Sequence, residues 1–503
     1  FAEALEHVNE SILRQYQCMK ARALKENILR KLGRVKEAEE LHKESLKIDP
    51  LYDRQPEKIN HNTLLELVID LYEAGDYAQG ITLAEKWVKQ QNVSRQEDIY
   101  PLVYYYIAYG YQNLHRKENT EQANCYMTMY VTLGENAAAD GCFPHRTEDY
   151  IVLKSLAEEY HLAMAYYYLG CLLYDRRVYD ESIEDYEESI LRSPDFPTVH
   201  RNLALAYYNV KKLPQRAYEE MEKAFALDET DARVYLELDQ LKKRLNVAVK
   251  ERWSDMEKHF DLVESRDDLY LEYVTLLNTL GEPEKALGLI KARKFHQWEG
   301  GEGKVAAQYL TALYQLAKAA VEKEDYAEAK ELLLRAVGEY PHNLGEGKLE
   351  SGQENNLYYL LGLVQEKLGE AKDAFESLTR ACCGESEPVG MMYYNDQPPE
   401  MIYYQGLAYQ MLGEEEQAVR RFQKLVDYGR EHIRDDVKID YFAVSLPDLL
   451  IFEENLNERN RKHCLFMMSL GLKGLGRIDE AEKCAEELLA MDNAHQEIRV
   501  HDL

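Results

Sequence analysis

Proline is scarce in this chain, 13 in 503 residues, and each proline inside a helix would cost about 3 kcal/mol. Long segments are therefore free to be helical. No stretch approaches 18 consecutive apolar residues, and no positively charged head precedes an apolar signal segment, so neither a spanning helix nor a leader peptide is expected. Cationic charge is in deficit as well: 61 Lys and Arg stand against 91 Asp and Glu, a formal net charge of -30. Phosphates would be repelled rather than neutralised, which argues against nucleic acid or an anionic membrane as partner. The eight cysteines, at positions 18, 125, 142, 171, 382, 383, 464 and 484, have neither disulfide-framework nor zinc spacing. A reducing compartment, the cytoplasm, is the expectation. The chain starts at Phe1 and enters a helical pattern almost at once, as expected of a fragment whose targeting information lies upstream.

What is present is a repeat. Leu, Ala, Glu and Lys fill most segments, and small residues recur at Ala38, Gly80, Ala123, Ser182, Ala217, Ala286, Ala329, Ala374, Ala418 and Ala481. Each marks the second helix of a helix pair, where close approach forbids bulk. Residues 163–194 show the unit most clearly, with Tyr166, Leu169, Gly170, Leu173, Ser182, Tyr186 and Pro194 in register. Other units are expected at 19–50, 61–90, 197–228, 267–292, 307–340, 355–383, 399–428 and 462–491. Residues 232–265 read as a degenerate unit with a long charged surface and no small mark, and Gly134, Gly141 and Pro144 mark a loop, before helix resumes, in an insertion near 134–158. Of the 39 tyrosines, runs such as Tyr104–Tyr106 and Tyr166–Tyr168 sit where first helices need bulk for packing. The predicted fold is all-α, a right-handed superhelical solenoid of antiparallel helix pairs.

A pair of this kind needs roughly 34 residues from mark to mark. The last four intervals are 43, 45, 44 and 63 residues. The surplus falls in connections that leave one pair and enter the next, and consecutive connections of that class project from one edge. This divides the chain into 1–265, plain repeats, and 266–503, repeats with enlarged loops. The first loop, RKFHQWEGGEGK from Arg293 to Lys304, holds His296, Trp298, Glu299 and Glu302 among three glycines. The second, Pro341 to Asn355, supplies His342 and Glu346. The third, Gly384 to Glu400, supplies Tyr393, Tyr394, Asp396 and Glu400. The fourth, about 429–461, includes an apolar stretch with Tyr441, Phe442, Val444 and Leu446, expected to pack on the solenoid edge or on another domain.

Carboxylates, amides and rings offered by these loops suit two kinds of ligand. A protein interface would use the rings as anchors, whereas a sugar would take polar groups on its hydroxyls and a ring on its apolar face. No strand precedes the glycines of the first loop, so a nucleotide cradle is not expected. His296 and His342 lack metal-ligand spacing, there is no Gly-x-Ser-x-Gly elbow, and neither Cys382 nor Cys383 has a histidine partner in sequence. No catalytic residue, metal or cofactor is assigned.

Throughout its length the chain resembles the tetratricopeptide repeat family, most firmly at 163–194 and 310–341. Four stretches resemble parts of a group of large bacterial proteins: FHQWEGGEGKV from Phe295, HNLGEGK from His342, YNDQPPE from Tyr394 and DYFAVSLPDL from Asp440. In that group a β-sandwich region, somewhat like sugar-processing folds, precedes a long repeat region. The resemblance implies that this chain is the repeat part, a non-catalytic protein-interaction or domain-docking scaffold whose partner is a protein or the upstream β domain. The alternative it leaves open is an accessory region that binds or processes carbohydrate once that domain completes the site.

Overall fold

A computed structural model describes residues 1–50, 60–91, 98–118, 121–298, 300–348, 352–390, 396–438 and 451–501. Every regular element among them is a helix, and successive helices pack as antiparallel pairs, among them Ala163–Asp175 with Tyr179–Arg192 and Asn355–Lys367 with Ala371–Ala381. The packing divides into two compact units, Phe1–Pro194 and Asp195–Leu503. The enlarged loops all belong to the second.

Each small mark is buried on a second helix, Ala38, Ser182, Ala217, Ala286, Ala329 and Ala418 completely so. The reason is contact. Ser182 Oγ donates to the Gly170 carbonyl at 2.7 Å, and a Cβ on Gly170 would stand 2.5 Å from the Tyr186 ring. The turn inside a pair is equally tight: Gly33, at φ 72°, donates to Arg30 O at 3.0 Å while Arg34 N reaches back to Leu29 O at 2.9 Å. That pattern satisfies carbonyls a helix end leaves open and needs a left-handed residue, which glycine supplies without strain.

The expected tyrosine core is present. Tyr104, Tyr105 and Tyr106 are at most 1% exposed, and their hydroxyls are not left dry: Tyr105 donates to Glu135 at 2.6 Å and Tyr106 to Asp149 at 2.8 Å. Glu135 also accepts from the Met164 and Ala165 amides at 3.2 Å, capping the Ala163–Asp175 helix from outside.

Two local expectations are corrected. Gly134 is not a loop marker; it lies in the Glu121–Asn136 helix, where a Cβ would come within 3.1 Å of the Tyr105 ring. The loop proper runs from residue 137 to 146, and helix resumes, as expected, at Thr147–Tyr160. The charge of residues 232–265 is not all surface either. Arg252, in the Val249–Lys258 helix, is 1% exposed and binds Asp239 through two nitrogens at 3.0 and 2.6 Å and Glu272 at 2.7 Å. It stands about 34 residues after Ala217, where a small mark belongs. An internal ion cluster thus takes the place of the close helix contact.

The last elements of the second unit return to its first. Asn209 donates to Ile451 O and accepts from Glu453 N, both at 2.8 Å, while Phe452 is fully buried with its ring edge-on to Tyr208 at 5.1 Å. Tyr441, Phe442, Val444 and Leu446 lie outside the described residues.

All eight cysteines are free thiols. Burial pushes Cys142 and Cys464 up to about 12, and Cys125 and Cys383 are exposed. In the native protein a thiol reagent is expected to modify Cys125 and Cys383 first and Cys142 and Cys464 only on unfolding; peptide mapping of the labelled chain checks the order.

Candidate functional site

The base of the first enlarged loop is held by Asp267, the first residue of the Asp267–Thr279 helix. Arg293 Nε donates to Asp267 Oδ1 at 2.6 Å, and the His296 amide and Nδ1 stand 2.9 and 3.1 Å from Oδ2. Burial works to raise the Asp267 carboxyl, but these donors outweigh it and hold it below the usual carboxylate range. The Arg293 guanidinium also covers the Tyr270 ring at 4.5 Å.

The second loop locks onto the first. Asn343 donates to Ile290 O at 2.7 Å and Arg293 O at 2.8 Å, and its own carbonyl accepts from Phe295 N at 2.9 Å. Phe295 is 2% exposed beneath this crossing. Gly345 has φ 81°, and a Cβ there would stand 2.9 Å from the Phe295 carbonyl oxygen, so both conformation and space require glycine. One residue on, Glu346 reaches the start of the Lys304–Glu322 helix. That helix has Gly303 at its N-cap, with no side chain to cap it. Glu346 Oε2 accepts from Gly303 N at 2.8 Å and Oε1 from Ala306 N at 3.4 Å, so a carboxylate from the next loop satisfies the open amides and opposes the positive helix end.

Between the two loops lies a cleft of about 360 Å³ lined by His296, Gln297, Trp298, Gly301, Glu302, Val305, Leu344 and Glu346. Trp298 is partly buried, its ring over Gly301, where a Cβ would come within 2.2 Å. Val305 and Leu344 are buried, whereas His296 and Glu302 are exposed. The cleft therefore joins an apolar interior containing an aromatic face to a rim with one carboxylate and one imidazole. It can take a flat or aliphatic group with a donor beside it.

The third loop is near but separate. Gly384 lies so close to Gln353 of the second loop that a Cβ would meet its Oε1 at 2.5 Å. Gln405 donates to Cys383 O and Glu385 O at 3.1 and 2.8 Å, and His463 Nε2 stands 2.8 Å from Val389 O.

Of the ten residues singled out from sequence, His296, Trp298, Glu302 and Glu346 line the one cleft. His342 is exposed on the short turn His342–Leu344 and does not line it. Asp396 is half-buried in the third loop, and Glu400 is buried in the first turn of the Pro399–Met411 helix. Glu299, Tyr393 and Tyr394 lie outside the described residues. Sequence reasoning missed Asp267, which sits on a helix of the preceding pair, and the cleft interior of Val305 and Leu344, whose apolar character was indistinguishable from repeat packing. A wider hollow of about 740 Å³ adjoins Arg434, Asn455 and Arg461, but its lining mixes polar and apolar groups with no aromatic face, and Arg461 already pairs with Glu487 at 2.5 Å. Among the described residues no group of three or more His, Cys, Asp and Glu side chains is placed to hold a metal ion, and no helix is long and apolar enough to cross a membrane.

Residues 314–388 match one tetratricopeptide repeat family model and residues 400–428 match a second. Both stretches lie in the second unit and overlap three of its helix pairs. Solved structures similar to this chain include a tetratricopeptide repeat protein from Parabacteroides merdae, 14% identical over 60% of this chain and 98% of that one, with a TM-score of 0.23. Yeast Tom70 is 10% identical over 96% of this chain and 94% of its own, with a TM-score of 0.30. At these scores neither likeness bears on function.

Proposed function

We propose that this chain is a non-catalytic docking scaffold and that the cleft between its first two enlarged loops takes a side chain from a protein partner, the upstream β domain of its own parent polypeptide. One observation carries the reading: Trp298 is left half-covered over a glycine, beside an apolar interior, in a cleft open between two loops. An aromatic face with a carboxylate at its rim is the usual chemistry of an interface anchor. The two carboxylates that line the cleft, Glu302 and Glu346, are a poor acid–base pair, because both oxygens of Glu346 are engaged by backbone amides. Eight free thiols favour a reducing compartment such as the cytoplasm.

Trp298→Ala is expected to change the unfolding free energy by less than about 1 kcal/mol, since the ring is only partly buried, whereas a fully buried Trp would cost about 3–5 kcal/mol. The same change should weaken association with the upstream polypeptide tenfold or more, measured by calorimetry. A large loss of stability with unchanged association would overturn the reading. A glycan array that binds the wild type and loses its signal on Trp298→Ala would transfer the cleft to carbohydrate.

A further inference from the structure

We propose that the side chain received by the cleft between the first two enlarged loops is a basic one, lysine or arginine, with its alkyl stem against Trp298, Val305 and Leu344 and its cationic end beside Glu302. The assignment rests on the reading of the cleft as a docking site and gives that site its chemistry.

The lining of the cleft is acidic. Among its described residues Glu302 and Glu346 carry carboxylates and none is Lys or Arg. Glu346 is committed, since its two oxygens accept from the Gly303 and Ala306 amides and its charge opposes the positive end of the Lys304–Glu322 helix. His296 is held as well: its Nδ1 stands 3.1 Å from Asp267 Oδ2, so a positive charge on the ring would be met by that carboxylate. The cleft then presents the Glu302 carboxylate, exposed at the rim, above the buried Val305 and Leu344. A side chain that is aliphatic along its length and cationic at its tip matches both parts at once. An acidic one would meet like charge, and a wholly apolar one would gain nothing from the rim.

The same two loops already hold cations between rings and carboxylates. In the first, the Arg293 guanidinium lies 4.5 Å over the Tyr270 ring while its Nε donates to Asp267 at 2.6 Å. In the second, the Lys348 ammonium lies 6.0 Å from the centre of the Tyr340 ring and pairs with Glu354 at 2.5 Å. Trp298 and Glu302 offer the same two elements with a better ring, because tryptophan is the strongest of the aromatic faces toward a cation. Gly301 makes them neighbours. Its amide donates to Trp298 O at 3.0 Å, the indole lies where its Cβ would be, and Glu302 is the next residue. At these two native examples the chain supplies its own cation; at Trp298 the cation is the partner's to supply. A net charge of -30 also draws basic surfaces toward the chain from a distance.

The test uses the full chain labelled with 5-fluorotryptophan, whose three fluorine resonances include one assigned to Trp298 by Trp298→Phe. The probes are N-acetyl-lysine methylamide and N-acetyl-norleucine methylamide, which has the same alkyl stem without the ammonium. The lysine probe is expected to shift the Trp298 resonance saturably and to bind about tenfold more tightly than norleucine, through the ring and the carboxylate together. Glu302→Gln, a change at an exposed position, should weaken the lysine probe about threefold and leave norleucine binding as it was. Equal binding of the two probes, a lysine affinity indifferent to Glu302→Gln, or a Trp298 resonance that the lysine probe does not shift would each overturn the assignment. The docking reading is judged separately, by loss of association with the upstream polypeptide in Trp298→Ala. Where that loss occurs and the probes do not discriminate, the cleft docks its partner through an uncharged side chain.

Discussion

Arg252→Ala is expected to destabilise the Asp195–Leu503 unit by about 3–5 kcal/mol, the cost of leaving a buried charge without its partner. The guanidinium side chain is 0% exposed, and Asp239, its two-point partner, is 4% exposed. Deleting the arginine removes the groups that make ionised Asp239 tolerable, and at 4% exposure the carboxylate has little access to solvent in their place. Burial already raises the Asp239 carboxyl, with Arg252 the main opposing influence; without Arg252 it is expected to fold with a proton. The sign of the pH dependence follows. An acid whose folded pKa lies above its unfolded value keeps its proton in the native state after the unfolded chain has lost it, so the deficit grows as pH rises above the ordinary value of 3.8. The variant should therefore lie closer to the wild type at pH 4 than at pH 7 in urea titrations. Replacing Asp239 by leucine in the same molecule should recover most of the loss, since an apolar cluster of similar volume often matches a buried ion pair. A deficit below about 1 kcal/mol at pH 7 would show that the cluster is hydrated and the burial argument wrong.

The same cluster shows why some of the chain was legible in its sequence and some was not. Pairs such as Ala163–Asp175 with Tyr179–Arg192 announce themselves because a fixed spacing places a small residue wherever two helices must touch. Arg252 breaks that rule at the position where a small residue was due, and charge in a helix reads as surface until a partner is seen. The partner Asp239 is 13 residues away, but Glu272 comes from the following pair. The glycine-rich connections were visible as departures from the repeat length. The cleft between them was visible only in part: Trp298, Glu302 and His296 stand out in a loop, whereas Val305 and Leu344 look like any other repeat apolar residue. The role of Glu346 was hidden because one more acidic side chain in a chain of net charge -30 carries no signal. Its effect depends on Gly303, 43 positions away, having no side chain to cap its own helix. The packing of the Gln496–Val500 helix was less legible still. Gln496 meets Gln308 across 188 positions and Thr275 across 221, and no periodicity links them.

Glu400→Gln is expected to stabilise the second unit at alkaline pH by on the order of 2–4 kcal/mol, and to flatten its stability between pH 7 and pH 8. Glu400 is 8% exposed, and burial first, then the Glu497 carboxylate, push its carboxyl from an ordinary 4.5 up to about 8. The unfolded chain releases this proton near pH 4.5 while the folded chain holds it to about 8, so native stability falls as pH rises across that interval and is level above it. Each pKa unit is worth about 1.4 kcal/mol, which bounds the effect from above. Other buried groups titrate elsewhere. His463 and His501 are pushed down to about 4 and about 3 from 6.5, so their contribution rises with pH up to 6.5 and is then constant. Asp185, raised to about 7, belongs to the first unit and is complete by then. The window from 7 to 8 therefore isolates Glu400 from these three. Because Glu497 lies on the Gln496–Val500 helix, ionisation of Glu400 also places two negative charges where that helix meets the Pro399–Met411 helix. Exchange of amides 497–501, corrected for intrinsic rates, should quicken from pH 6.5 to pH 8.5 in the wild type and much less in Glu400→Gln. If the variant keeps the wild-type slope between pH 7 and 8, the carboxyl is already ionised in the folded protein and the Gln496–Val500 helix is held by something other than a proton on Glu400.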